Sequence, residues 1–178
     1  MNLFCKKLGL LIKFLIFLEK VNIMHALDDI DKKILNLLQD DAALPLKTIA
    51  EKLGTSIATT QRRISQLTDA KVIERSVAIV DAVKVGRPLT VLVLIKMVNS
   101  NTPLQHRFER LMAAHPQVMS CYEISGDYDF VLIVANQDMQ EYHRFTRQNL
   151  TGENNVATFN SQFVMNSVKS STKITLDI

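Results

Sequence analysis

The sequence predicts an α+β chain in which three short helices precede an alternating βαββαβ region. Three observations predict it. Apolar residues recur at helical spacing from Ile30 to Leu67, broken by a proline and a glycine where one helix gives way to the next. From Thr90 onward, nearly continuous apolar runs rich in β-branched residues alternate with helical stretches. The composition, 47% hydrophobic and 22% charged with five Gly and four Pro, excludes a disordered or fibrous chain, and 178 residues are enough for two small domains with cores. Cys5 and Cys121 lie in unrelated contexts, which excludes a disulfide scaffold or a cysteine-rich zinc module.

Residues 1–23 stand apart. LGLLIKFLIFL, residues 8 to 18, is an apolar run containing Lys13 and flanked by Lys6, Lys7, Glu19 and Lys20. A bilayer span takes roughly 20 apolar residues, and a secretory leader needs a small-residue cleavage site of a form that LEKVNIMHA does not offer. The expectation is an additional N-terminal helix, or residues translated from a start upstream of Met24. This segment also holds the whole formal charge of +3, leaving 17 basic and 17 acidic residues after it. Nucleic-acid binding therefore has to be argued from local charge and motif, not from net charge.

Asp28 precedes Ile30, Ile34, Leu37 and Leu38, a helical i, i+4, i+7, i+8 pattern ending near Asp40. Asp31 adds negative charge to the first turn, where the helix dipole favours it. Pro45 suits entry to a second helix, Leu46 to Leu53, with Ile49, Ala50 and Leu53 inward and Gly54 at its end. Ser56 caps a third helix to about Ala70, with Ile57, Thr60, Ile64 and Leu67 inward and Ala58, Thr59, Gln61, Arg62, Arg63, Ser65 and Gln66 outward. The expected unit, residues 24–74, is a three-helix, winged-type helix-turn-helix whose third helix enters the DNA major groove. Arg62, Arg63 and Gln66 are placed to reach base edges or phosphates, and Ala58 and Thr59 are small enough to let the helix sit deep. Lys47 stands where it can contact the backbone. Residues 47–75 carry a local +3 and residues 28–41 a local −3. A plain three-helix bundle with solvated arginines is the alternative on spacing alone.

Val72 and Ile73 close the small core, and Glu74 to Asp81 reads as a strand or ribbon. Residues 75–89 form this ribbon and a hinge ending in Gly86-Arg87-Pro88. The second domain, 90–178, begins with a buried strand, Thr90 to Val98. A helix with Leu104, Phe108, Leu111 and Met112 follows, then strands Val118 to Ile124 and Tyr128 to Ala135. A helix capped by Asp138 and a last strand, Ala157 to Met165, complete a ferredoxin-like split βαβ. Helices on one face leave the other needing a partner, so dimerisation through the sheet is expected.

Chemistry concentrates in Ser125-Gly126-Asp127-Tyr128-Asp129, where two carboxylates flank a tyrosine beside a glycine that permits close backbone approach. An ordinary hairpin turn has the same composition, and two carboxylates without a histidine are weak grounds for a metal. Cys121 has no evident histidine partner, and His106, His115 and His143 stand singly. No catalytic or metal-ligating set is expected.

Taken in order, these residues resemble the Lrp/AsnC (leucine-responsive, or feast/famine) family of transcription regulators. The resemblance covers residues 27 to about 175. Leu27-Asp28-x-x-Asp31-x-x-Ile34-Leu35, Ile49-Ala50-x-x-Leu53-Gly54-x-Ser56, Arg63-Ile64-x-x-Leu67 and Val72-Ile73 carry it, with Ser125 to Phe130 and Asp138-Met139 in the second domain. It implies a cytoplasmic, double-stranded-DNA-binding homodimer that assembles further, into an octamer for instance, and that touches no membrane. It implies an amino acid or related small-molecule effector near Gly126 to Asp129, with Ser161 facing the same pocket, and no cofactor beyond that effector. Lys71 and Arg75-Ser76 depart from the family pattern, where Gly and Gly-Tyr are usual, and Ile57 and Thr59 stand where relatives carry proline. A constitutive DNA-organising protein without ligand response, and a ferredoxin-like metal-binding or enzymatic oligomer, are the other two readings.

Overall fold

A computed structural model describes residues 27–99 and 101–177, so the expectations for the N-terminal segment lie outside the described residues. Residues 27–78 and 170–177 form one compact unit and Ile79–Lys169 another.

In the first unit, α1 (Asp29–Asp40), α2 (Leu46–Leu53) and α3 (Ile57–Asp69) follow the sequence pattern closely. Asp28 and Asp31 form a reciprocal capping box: the Asp31 N–H donates to the Asp28 carboxylate at 2.8 Å and the Asp28 N–H to that of Asp31 at 3.4 Å. Ile34, Leu35, Ile49 and Leu67 make the core, with Ile30, Leu53, Ile64, Val72 and Ile73 packed around it. The ends of α2 and α3 use the same device. Thr55 N–H returns to Ala50 O after Gly54 at φ +63°, and Val72 N–H returns to Leu67 O after Lys71 at φ +58°. Glycine adopts that conformation freely, whereas lysine pays a steric penalty between its Cβ and the carbonyl oxygen. Lys71→Gly is therefore expected to stabilise this unit by roughly 0.5–1 kcal/mol, the relieved strain less the added freedom of the unfolded chain; urea unfolding followed by helical circular dichroism measures it.

The last residues belong to this unit and not to the sheet domain in which the sequence reading had placed them. Leu176 packs against the helical core. Gln39 grips the backbone of residue 174 with both ends of its amide, at 2.7 and 3.0 Å, and Asn36 donates to Leu176 O at 3.2 Å. Residues 74–81 form no strand in this chain. A strand needs a neighbour for its N–H and C=O groups, and Val77, Ile79 and Val80 instead stand exposed.

The second unit is a four-stranded antiparallel sheet, ordered β2-β3-β1-β4. Its strands are β1 (Leu89–Met97), β2 (Val118–Glu123), β3 (Phe130–Asn136) and β4 (Val156–Phe163); α4 (Thr102–Ala114) follows β1 and α5 (Met139–Asn149) follows β3. With β3 antiparallel to both β1 and β2, this is the expected split βαβ. Alternation divides the sheet cleanly. Val91, Val93, Ile95, Phe130, Leu132 and Val134 are buried beneath Phe108, Met112, Tyr142 and Phe145 of the helices, while Leu92 and Tyr122 on the opposite face are exposed. Arg87 in the hinge is pinned to α5 by a two-pronged ion pair with Glu141, at 2.6 and 2.7 Å.

His115 ends α4 with its ring edge-on to Phe145 at 4.9 Å, and Nδ1 accepts from the Gln117 N–H at 3.3 Å. Burial pushes its pKa below the ordinary imidazole value. The folded unit therefore binds this proton less readily than the unfolded chain. Its contribution is complete above about pH 6.5 and is lost as pH falls below that. Urea midpoints at pH 7.5 and 5.5 should show the loss, and His115→Gln should remove that part of it.

Candidate nucleic-acid interface and effector loop

The turn between α2 and α3 is set by local hydrogen bonds. Ser56 Oγ accepts the Thr59 N–H at 3.1 Å and donates to Thr59 Oγ1 at 2.9 Å, while Thr55 and Thr60 share a hydroxyl contact of 2.8 Å. Ser56 and Thr59 thus fix the start of α3. Along α3 the exposed residues are Ile57, Ala58, Gln61, Arg62, Ser65, Gln66, Thr68 and Asp69; of these Ala58, Gln61, Arg62, Ser65, Gln66 and Asp69, spaced 3, 1, 3, 1 and 3, form one continuous helical stripe. Arg62 donates to Gln66 Oε1 at 3.2 Å, so the two long side chains are held together on that stripe. Lys47 on α2 is largely exposed and lies 3.9 Å from Glu51, a loose pair between exposed groups.

Arg63 is not on the outward stripe where the sequence reading placed it. Thr60, Arg63, Ile64 and Leu67 follow the inward i, i+3, i+4, i+7 spacing, and the Arg63 side chain is 20% exposed. Its Nη1 lies 2.8 Å from both Asp28 and Asp31. Hydrogen bonds to Asp31 and then Asp28 hold the guanidinium pKa above its usual value. The Asp28 carboxyl is lowered, first by the Asp31 N–H and also by Arg63. The signal was in the sequence as this spacing, with two acidic residues at the start of α1 to receive it. Ile57, expected inward, is 48% exposed at the first position of α3.

In the sheet unit, Ser125, Gly126 and Asp127 are exposed and Tyr128 and Asp129 half-buried. Gly126 has φ +120°, a conformation that requires glycine. Asp129 is committed internally. Its backbone N–H donates to Ile95 O and its carboxylate accepts the Met97 N–H, both at 2.8 Å, where the β1–β4 register shifts. Lys96 Nζ stands 3.7 Å from the same carboxylate. The loop is thereby riveted to the end of β1, leaving Ser125 and Asp127 as its exposed polar side chains. Ser161 pairs with Val93 in β4 and hydrogen-bonds to the Tyr142 hydroxyl. The loop's Asp129, by contrast, is bonded to β1 at Ile95 and Met97. Burial pushes the Cys121 thiol up to about 11, so it stays protonated at neutral pH and is no nucleophile.

Comparison with known proteins agrees with this geometry. The AsnC-type helix-turn-helix domain family matches residues 27–68 and the Lrp/AsnC ligand binding domain family residues 90–174. An uncharacterized HTH-type transcriptional regulator of Haemophilus influenzae is 49% identical over 154 residues, spanning 86% of this chain and 92% of its own. The crystal structure of an AsnC family transcriptional regulator from Agrobacterium tumefaciens superposes with a TM-score of 0.79 at 32% identity, covering 83% of this chain and 96% of that one. A Neisseria meningitidis transcriptional regulator, solved as a complex with L-Met, superposes at 0.78 with 26% identity, covering 85% and 97%. The chain belongs to the Lrp/AsnC family: it is a DNA-binding transcription regulator with a ligand-binding domain, and not an enzyme.

Proposed function

We propose that this regulator reads DNA through the outward stripe of α3 and that an amino acid, received at the Ser125–Tyr128 loop, tunes that binding. The observation that carries the DNA reading is the Arg62–Gln66 pair, exposed and mutually oriented on a helix whose first turn Ser56 and Thr59 hold in place. Bidentate side chains of this kind discriminate bases in the major groove, while Ala58 allows close approach and Lys47 supplies a phosphate contact. Gly126, Asp127 and Tyr128 carry the effector role. Asp127 matches the ammonium group of an amino acid, and Asp129 anchors the loop. The Neisseria neighbour's L-Met complex supports an amino acid as the class. The working form is a cytoplasmic homodimer, assembling further to an octamer or similar ring. The uncovered sheet face with Leu92 and Tyr122, and the exposed apolar residues Val77, Ile79 and Val80, support association with a second copy.

A constitutive DNA-organising protein remains the second reading, favoured by the internal commitment of Asp129 and Ser161. Thermal shift against the twenty amino acids separates the two, because a ligand that binds only the folded state raises Tm with its concentration. One or more amino acids should raise Tm and change DNA affinity, and Asp127→Ala should abolish both responses while retaining DNA binding without ligand. No shift with any of the twenty, or an undiminished shift in Asp127→Ala, contradicts the effector assignment.

A further inference from the structure

We propose that Arg63 is a positioning residue that sets the angle of the recognition helix and makes no DNA contact of its own; this rests on the DNA reading above. A single guanidinium nitrogen bridges Asp28 and Asp31 at 2.8 Å each, tying the middle of α3 to the N-terminus of α1. The two carboxylates are already the capping box of α1, so the pair of helix positions is fixed by one shared cluster. Arg63 Nε is buried with no hydrogen-bond partner and the side chain is 20% exposed, so the guanidinium lies against α1 and does not project from the stripe of Arg62 and Gln66. Two carboxylates against one guanidinium leave the cluster with a net charge of −1, so it adds no attraction for phosphate. The apolar core of Ile34, Ile49 and Leu67 holds the three helices together without it. What the ion pairs add is direction, since charge-assisted hydrogen bonds fix geometry as well as energy, and the stripe bearing Arg62 and Gln66 turns with α3.

The test compares full-length Arg63→Met, Arg63→Lys, Asp31→Asn and Arg62→Met with the parent chain. Each is titrated by fluorescence anisotropy from low to high salt, against a duplex selected by the parent chain from a random pool and against its scrambled counterpart. Melting curves confirm folding at the assay temperature. Arg63→Met should lose on the order of tenfold affinity for the selected duplex and little for the scrambled one, with the slope of log K against log salt unchanged. A phosphate contact would instead lower that slope by about one. Asp31→Asn should share the selective loss, and Arg63→Lys, which keeps the charge, should recover part of it. If Arg63 touched DNA, removing its acidic partner would free it and strengthen binding. A reduced slope in Arg63→Met, equal losses on both duplexes, unchanged selected-duplex affinity, or tighter binding by Asp31→Asn each overturns the proposal. Arg62→Met reports separately on the DNA face: if its affinity and slope are unchanged, that reading fails whatever Arg63 does. Should Arg63→Met not fold, Arg63→Lys and Asp31→Asn decide the matter by the same criteria.

Discussion

Arg62→Ala combined with Gln66→Ala is expected to weaken binding to the selected duplex by one to two orders of magnitude. A well-made bidentate contact to a base is worth about 1–3 kcal/mol of discrimination, and each 1.4 kcal/mol is tenfold in affinity. These two side chains are exposed, lie one turn apart and already hydrogen-bond to each other at 3.2 Å. The free protein thus holds part of the geometry that a base pair would meet. Both positions point away from the core of Ile34, Ile49 and Leu67, so the melting temperature should stay close to that of the parent chain. Anisotropy titration and a melting curve on the same sample check both halves. A loss of binding with unchanged folding locates the interface on this stripe.

Phe130→Ala is expected to have the largest effect on stability. Phe130 is 1% exposed, begins β3 immediately after the anchored Asp129, and its ring lies 5.2 Å from that of Phe108 across the interface of sheet and α4. Truncating a buried phenylalanine costs about 3–5 kcal/mol in lost transfer energy and residual cavity. Whole domains are stable by only about 5–15 kcal/mol. The sheet unit should therefore lose a large fraction of its stability, and β3 should let go of the loop whose Asp129 rivets the end of β1. The helical unit has its own core and its own caps, so its helical signal should persist. Urea unfolding monitored by near- and far-ultraviolet circular dichroism separates the two outcomes.

Local chemistry made most of the architecture legible. Asp28, Gly54, Ser56 and Asp138 each sit where a helix end needs an acceptor or a left-handed residue, and all four serve there. The nearly continuous β-branched run from Thr90 to Val98 marked a buried strand, while the division into a buried and an exposed face shows only in the folded sheet. Arg63 was misplaced because a charged residue reads as outward, although its spacing relative to Thr60 and Leu67 is inward. The charge is tolerated inside because Asp28 and Asp31, more than thirty residues away, neutralise it. The attachment of the C-terminal residues was illegible for a related reason. Gln39 and Asn36 on an exposed helix face show no pattern until the backbone of residues 174 and 176 arrives from far along the chain. Glu74 to Asp81 has strand composition, yet composition supplies no partner for its hydrogen bonds. In the effector loop, residue types pointed to Asp127 and Asp129 alike. Only the folded chain, in which the Met97 N–H donates to Asp129 at the register shift of β1, shows that one of them is occupied.

Selection of duplexes from a random-sequence pool by the full-length protein, followed by sequencing of what it retains, shows whether α3 reads DNA sequence. With the proposed homodimer, two recognition helices should enrich an inverted repeat with half-sites about 10–10.5 base pairs apart or a multiple of that spacing. The enrichment should collapse for Arg62→Ala combined with Gln66→Ala. A retained pool with no motif above the starting library, or the same motif recovered equally well by that double variant, would mean that Arg62 and Gln66 do not read DNA sequence.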